Sequence, residues 1–156
     1  MNTFISKRHQ VSSTQHIKAS PEKVFPLLCP KKEYDWIPGW QCEIIYSKSG
    51  YAELDCIFTT NFPDNGKEVW VVDQYVPNQL IEFIISSEQK ITRYTITLTD
   101  NQNGTTTLVW EQNITSLNEE GNRQIEKLTN EAFNKKIKGL EVLLNHYLAT
   151  GKMLIV

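Results

Sequence analysis

The feature that most constrains the fold is a long central stretch, residues 41–115, in which apolar and polar residues alternate with a period of two. Such alternation is typical of strands with one buried face. Turn signals interrupt it at short intervals and predict six strands, at residues 41–47, 51–59, 67–76, 80–86, 90–99 and 105–115. None of the intervening segments is long enough for a crossover helix. The sequence therefore predicts an antiparallel sheet of consecutive strands.

Because side chains at odd and even positions of a strand point to opposite faces, the alternation predicts which face of this sheet is buried. We call this assignment by odd or even position parity. The residues predicted to face the core are Leu54, Cys56, Phe58, Tyr94, Ile96, Leu98, Leu108, Trp110 and Ile114. Charged and hydroxyl residues, among them Glu53, Asp55 and Glu111, occupy the alternate positions. In the strand at residues 67–76 a continuous apolar run removes the alternation, so parity leaves the direction of Trp70 open. A sheet with one dry face requires a second layer to cover it.

The last third of the chain, residues 118–150, predicts that second layer as one long amphipathic helix. Its apolar stripe contains Ile125, Leu128, Ala132, Phe133, Leu140, Leu143, Leu144, Tyr147 and Leu148. The opposite side carries Lys127, Asn130, Glu131, Asn134, Lys138, Glu141 and Asn145. Ser116 and Asn118 compete as the helix cap, and Gly151 fits its end. Packing of the apolar stripe of this helix against the dry face of the sheet predicts a two-layer α+β domain.

The segment before the alternating stretch predicts a further strand and two short helical pieces. Weak alternation predicts the strand at residues 11–19. Ser20 and Pro21 form a helix start, because a hydroxyl residue caps a helix and proline is tolerated at its first position. Pro26 keeps this helix short. A second turn is predicted at residues 32–36.

Composition excludes several classes of protein. The 156 residues fit one domain, and 16 basic against 18 acidic residues leave no basic surplus for nucleic acid or an anionic membrane. Three cysteines without close spacing favour reduced core thiols. The first ten residues contain no apolar segment typical of a signal peptide, and no apolar run approaches a membrane span. We therefore expect a cytoplasmic protein without a membrane span.

The order of elements resembles the helix-grip fold of the START-like (SRPBCC) superfamily, which includes birch-pollen-allergen-like and polyketide-cyclase-like proteins. That order is a strand, two short helices with the Ser20-Pro21-Glu22 start, a six-strand run whose last turn holds Gly104 and Thr105, and a long terminal helix. Residues 36–40 and 118–122 look like an uncharacterised bacterial branch of the superfamily.

The resemblance implies a single domain over residues 1–156, with a seven-stranded antiparallel sheet wrapped around a long C-terminal helix and two short helices after the first strand. It also implies a cavity between sheet and helix that holds an apolar small molecule such as a lipid or polyketide. Such pockets are mostly apolar, with a few polar groups that orient the ligand.

Large or polar residues expected on the inner surface are the candidate ligand contacts. They are Trp36, Trp40, Phe58, Trp70, Tyr94, Trp110, Gln112, Phe133, Lys136 and Tyr147. The aromatic residues either fill the core or line a cavity, and Trp36 and Trp40 either plug one end of the core or form the cavity mouth. Lys136 falls near the middle of the apolar stripe. Its ammonium group either extends to solvent or anchors an acidic or carbonyl group of a ligand.

Catalytic groups are not evident from the sequence. His9, His16 and His146 lack metal-ligand spacing, so no metal, other cofactor or catalytic residue is predicted. Asp35, beside the tryptophans, is the best remaining acid, although a turn or cap role is the favoured interpretation.

Three functions are compatible with these patterns. The first is binding or carriage of a hydrophobic molecule. The second is a cyclase-, dehydratase- or hydrolase-like enzyme that uses the same cavity. The third is an interaction module resembling the chaperone-ATPase activators, with the apolar tail at residues 153–156 as its contact or as a homodimer interface.

Overall fold

A computed structural model describes residues 3–155 and contains one seven-stranded sheet. Its strands are β1 (Arg8–Ile17), β2 (Glu43–Tyr46), β3 (Ile57–Phe62), β4 (Gly66–Val76), β5 (Leu80–Ser86), β6 (Lys90–Asp100) and β7 (Thr106–Ser116). All neighbours pair antiparallel in the order β1-β7-β6-β5-β4-β3-β2. The predicted α+β architecture is confirmed. Strand β1 pairs with the last strand, β7, and forms one edge of the sheet. The short strand β2 forms the other edge.

Short helical pieces connect β1 to β2 and cover one end of the sheet. Helix α1 (Pro21–Val24) begins with proline at its first turn, as predicted, and Pro26 lies in the 3-10 turn that follows at Phe25–Leu27. A second 3-10 turn occupies Glu33–Asp35. A 3-10 turn accepts Pro26 because it has no long ladder of helical hydrogen bonds to interrupt. These pieces place Glu33 beside the inner face of the sheet.

The prediction of one helix over residues 118–150 is wrong, because the segment contains two helices, α2 (Glu119–Glu126) and α3 (Asn130–Thr150). Asn118 caps α2 by accepting from the Gly121 N–H at 2.9 Å, and Thr129 caps α3 by accepting from the Ala132 N–H at 3.1 Å. A second side-chain cap within the segment starts a new helix and leaves residues 127–129 between the two. Gly151 ends α3 at φ +72°, as expected.

The strand predicted at residues 51–59 is also corrected, since β3 begins only at Ile57. The Glu53 carboxylate accepts from Ser49 N–H at 2.8 Å and from Lys48 N–H at 3.1 Å, which folds the preceding residues into a loop. Asp55 takes the left-handed conformation at φ 69°. The parity of residues before Ile57 is therefore lost. Leu54, predicted to be buried, is 54% exposed.

The core lies between the inner face of the sheet and α3, and parity predicted most of it. Eight of the nine predicted inward residues are buried: Cys56, Phe58, Tyr94, Ile96, Leu98, Leu108, Trp110 and Ile114. Phe133, Ile137 and Leu144 are the buried residues of α3. The cysteines are free thiols, with Cys29 and Cys56 buried and Cys42 half-buried.

One side of α3 bonds the free edge of β1, although the sequence pattern placed these polar residues opposite the packing surface. Asn130, Asn134, Lys138, Glu141 and Asn145 form this row, which we call the edge row. Asn130 accepts from the Ser12 N–H (2.8 Å), Glu141 from the His16 N–H (2.7 Å) and Asn145 from the Lys18 N–H (2.8 Å). Lys138 Nζ donates to the Thr14 carbonyl (2.6 Å) and Asn145 to that of His16 (3.1 Å). Asn134 accepts from the Ser13 hydroxyl at 2.6 Å.

Helix α3 therefore makes a different kind of contact on each of three sides. Ile137 and Leu144 pack into the core, the edge row bonds to β1, and Ala132, Lys136 and Leu140 face the cavity described below.

Within residues 3–155 no helix has the length and apolar character of a transmembrane segment. In the tail, Met153 and Leu154 are half-buried and Ile155 is 86% exposed, whereas Val156 lies outside the described residues.

Candidate ligand-binding cavity

A cavity of about 640 Å³ lies between the inner face of the sheet and α3. Its volume is within the range of small-molecule sites. The walls come from Val11 of β1, residues 28–40, strands β3 to β7, the β3–β4 hairpin at residues 62–65, residues 127–129 and the cavity side of α3. The break between α2 and α3 and the hairpin therefore both border the cavity.

Aromatic rings form the sheet side of this cavity. Trp70 stacks on Phe58 with ring centroids 5.1 Å apart and meets Phe83 edge-on at 5.4 Å. Tyr94 links this pair to Trp110 at 5.9 Å and reaches Phe133 of α3 at 6.2 Å. Contacts at these distances are favourable and hold the rings in place. The inner wall is therefore a continuous aromatic surface.

Hydrogen bonds fix the two indole rings of the sheet. Trp70 Nε1 donates to Thr60 Oγ1 at 2.9 Å, which shows that Trp70 points inward. Trp110 Nε1 donates to Gln15 Oε1 at 2.8 Å, and Gln15 Nε2 donates in turn to the Ile137 carbonyl at 2.8 Å. Gln15 is fully buried. Because both indole N–H groups have protein partners, the rings offer a ligand their apolar surfaces.

Seven of the ten candidate contacts predicted from the sequence line the cavity: Trp40, Trp70, Tyr94, Trp110, Gln112, Phe133 and Lys136. The other three lie outside the lining. Trp36 is fully buried and donates to the Leu27 carbonyl at 2.9 Å, so it plugs one end of the core. Phe58 lies behind Trp70, and Tyr147 lies two turns beyond Leu140, near the end of α3. Trp36 is thus a plug residue, whereas Trp40 lines the cavity.

Charged residues at the cavity were largely missed by the sequence analysis, which identified only Lys136. Three lysines and three acids line it: Lys90, Lys127, Lys136, Glu33, Asp64 and Glu68. Glu68 was predictable once Trp70 was known to point inward, because the two residues have the same parity in β4. Glu33 lies in a 3-10 turn without periodicity, so no pattern marked it. Asp35, the acid noted from the sequence, is exposed and does not line the cavity.

Burial changes the titration of the acids at this wall. Loss of hydration raises the pKa of Glu33 to about 8, against the opposing effect of the Lys136 charge. Burial likewise raises the pKa of Glu68, opposed by Lys90 and Lys136. The pKa of the Tyr94 hydroxyl is raised by burial and by the nearby Glu33. At pH 7 Glu33 is therefore mostly uncharged and Tyr94 is a neutral hydroxyl.

No group of three or more His, Cys, Asp or Glu side chains within residues 3–155 has the geometry of a metal site. The acids and lysines of the cavity are distributed over six segments, namely the Glu33–Asp35 turn, the β3–β4 hairpin, β4, β6, residues 127–129 and α3. Their chemistry is that of single charged or neutral groups facing an apolar space.

Solved structures with this fold include proteins of different kinds. The chain matches DynU16, a protein of the dynemicin biosynthetic locus, with 20% identity and a TM-score of 0.61, covering 92% of this chain and 48% of that chain. It matches norcoclaurine synthase from Thalictrum flavum with 13% identity and a TM-score of 0.67, over 93% and 88% of the two chains. The Aha1 dimer from Colwellia psychrerythraea matches with 20% identity and a TM-score of 0.62, over 92% and 98%. At these identities the matches show the fold alone.

Sequence comparison gives the family. No curated protein sequence matched the chain. The family model described as polyketide cyclase/dehydrase and lipid transport matches residues 8–142, from the start of β1 into the middle third of α3. Since the match covers most of the chain, the protein belongs to the polyketide cyclase/dehydrase and lipid transport family of the SRPBCC superfamily.

Proposed function

We propose that the protein binds a predominantly apolar small molecule in the cavity and carries it. The observation behind this proposal is the 640 Å³ cavity, whose sheet side is an aromatic surface with its indole N–H groups already bonded. Such a wall favours an apolar ligand because it leaves few polar groups to solvate. Membership of a family that includes lipid transport supports the same class of ligand. The cytoplasmic location expected from the sequence is part of this proposal.

Filling the cavity from α3 is expected to abolish binding. Ala132 lines the cavity, so Ala132→Phe places a ring in the space a ligand needs. Titration with the neutral fluorescent probe N-phenyl-1-naphthylamine is expected to show saturable binding to the wild type, weakened at least about tenfold by Ala132→Phe, a loss of about 1.4 kcal/mol. Ala149→Phe is the matched control, because Ala149 is an exposed residue of α3 outside the lining. Absence of binding to the wild type, or equal loss in both variants, would contradict the proposal.

A second candidate is an acid–base enzyme that uses the same cavity, and Glu33 favours it. A carboxyl group with its pKa raised to about 8 is protonated near neutral pH and is suited to donate a proton to a ligand oxygen. An acid in a cleft whose pKa is shifted by burial and by a charged neighbour is a candidate functional group. A cyclase- or dehydratase-like reaction would place the ligand between Glu33 and Lys136, which face the same space.

Glu33→Gln distinguishes the enzyme from the carrier. The amide keeps the shape and neutrality of the protonated acid but has no transferable carboxyl proton. Incubation of the protein with candidate polyketide substrates, followed by mass spectrometry of the products, is expected to show turnover by the wild type and at least about a hundredfold slower turnover by Glu33→Gln, with the affinity unchanged. Equal turnover by both proteins would exclude Glu33 as the acid.

A further inference from the structure

The charged side chains of the cavity are not used to hold the fold together. Four ion pairs occur within residues 3–155, namely Lys7 with Glu126, Arg93 with Glu82, Arg123 with Glu120 and Lys138 with Glu141. None of the six charged residues of the cavity takes part in them. Charged groups in a mostly apolar space are costly unless they are paired or solvated. Asp64, Lys127 and Lys136 are exposed and therefore hydrated, and the lysines of the lining have positive charge available for a ligand.

Lys136 is the cation that the helix directs into this space. It lies on α3 one turn after Ala132 and one turn before Leu140, and all three residues line the cavity. None of the ion pairs within residues 3–155 involves the Lys136 ammonium group, and the side chain is exposed at this wall. Lys135, one residue earlier, is also exposed but does not line the cavity.

Two neutral donors share the cavity wall with this ammonium group. The carboxyl of Glu33 keeps its proton at neutral pH because burial raises its pKa to about 8. Tyr94 also lines the cavity and lies opposite Gln112, another lining residue, in the β6–β7 register. A lysine ammonium and a protonated carboxyl both donate hydrogen bonds, so they match a ligand group that accepts hydrogen bonds and carries negative charge. A carboxylate is such a group, because it has two acceptor oxygens and forms its strongest hydrogen bonds with cations.

We propose that the ligand is an amphipathic carboxylic acid, whose carboxylate is held by Lys136 and Glu33 while its apolar body lies on the aromatic wall. This inference rests on the proposed binding function and specifies the class of its ligand. A long-chain fatty acid and a polycyclic aromatic acid share this chemistry.

The other titratable groups that face Glu33 come from several elements. Lys136 on α3 opposes its ionisation, Tyr94 on β6 and Cys42 before β2 interact with its charge, and Glu68 on β4 and Lys90 on β6 complete the wall. Asp64 lies on the β3–β4 hairpin, and Lys127 lies between α2 and α3. When Glu33 ionises, it brings a negative charge next to the bound carboxylate. Binding of a carboxylate is therefore expected to weaken as the pH rises through about 8.

The test compares acids with their methyl esters, using two fluorescent pairs. The first is cis-parinaric acid and its methyl ester, and the second is 1-pyrenebutyric acid and its methyl ester. For at least one pair the wild type is expected to bind the acid about tenfold more tightly than the ester at pH 7 and to lose this preference by pH 9. Free carboxylic acids titrate at about pH 4, so the ligands do not change charge in this range. The pair with the larger preference identifies an aliphatic or an aromatic source.

Variants at Lys136, Lys135 and Glu33 test which residues produce the preference for the acid over the ester. Lys136→Met is expected to bind acid and ester equally, whereas Lys136→Arg keeps the preference and Lys135→Met does not change it. Glu33→Gln is expected to keep the preference at pH 7 and to remove its pH dependence. Equal binding of acid and ester by the wild type would overturn this inference and leave the binding function standing. Failure of every probe, esters and N-phenyl-1-naphthylamine included, would overturn the binding function itself.

Discussion

Ile137→Asp is expected to unfold the protein. Ile137 is fully buried on the core side of α3, and its carbonyl accepts the bond from the buried Gln15. An aspartate there must carry an unpaired charge in the core or remain protonated without sufficient partners, and either state costs several kcal/mol. Because domains of this kind are stable by about 5–15 kcal/mol, the native state should be largely lost. Far-UV circular dichroism and urea unfolding at pH 7 measure the result.

Val142→Asp is the matched control for this change. Val142 also belongs to α3 but is 57% exposed, so the new carboxylate is hydrated and stability should change by no more than about 0.5 kcal/mol. A cooperative transition for Ile137→Asp within about 1 kcal/mol of the wild type would show that the α3 contact is not the main support of the fold.

Two glycine-to-alanine changes in the C-terminal helices are expected to act in opposite directions. In α2, a Cβ on Gly121 would lie 2.2 Å from the Gln89 carbonyl oxygen and 3.1 Å from Ser116 Cβ. That oxygen already accepts from the Leu117 N–H at 2.8 Å, so it cannot move away without breaking a backbone bond. Gly121→Ala should therefore cost about 2–3 kcal/mol, as overpacking of a close contact does.

Gly139→Ala provides the comparison in α3. A Cβ at Gly139 meets no atom within 4 Å, and the residue is exposed. Alanine lowers the conformational entropy of the unfolded chain and favours helix, so this change should stabilise the protein by about 0.5–1 kcal/mol. Thermal unfolding of both variants measures the difference. Destabilisation of similar size in both would mean that helix geometry, and not the contact with Gln89, sets the effect at Gly121.

The sheet was predictable because its signal is local. Period-two alternation and closely spaced turns determine strands and antiparallel pairing without knowledge of distant residues. The signal failed where a local bond competed with it, as at Glu53, whose carboxylate organises a loop in place of a strand. It also failed at residues 127–129, since the apolar periodicity continues across the Thr129 cap. Ile137, the central buried residue of α3, was missing from the predicted stripe. The apolar pattern of the helix did not separate positions that line the cavity from positions that are buried in the core.

The cavity was predictable in its location and aromatic wall but not in its charges. The resemblance to the START-like superfamily placed a site between sheet and helix, and strand parity aligned Tyr94 and Trp110 on it. The juxtaposition of Glu33 with Lys136 joins residues about a hundred positions apart, and one of them lies in an aperiodic turn. Nothing in the local sequence distinguishes that glutamate from an exposed one. Burial and a distant lysine, which set its pKa, exist only in the folded chain.

The edge row of α3 has a consequence for association between molecules. A sheet edge recruits further strands through its free backbone N–H and C=O groups. In β1 and the residue that follows it, Lys18, five of these groups are already occupied by side chains of the same molecule. Strand addition at β1 would require displacing α3, which the core contact of Ile137 opposes. The sheet can therefore grow in one direction only, at β2, where Ile45 and Tyr46 are 55% and 52% exposed. If two copies paired symmetrically through β2, both β2 edges would be used, so strand addition through this edge would stop at a dimer.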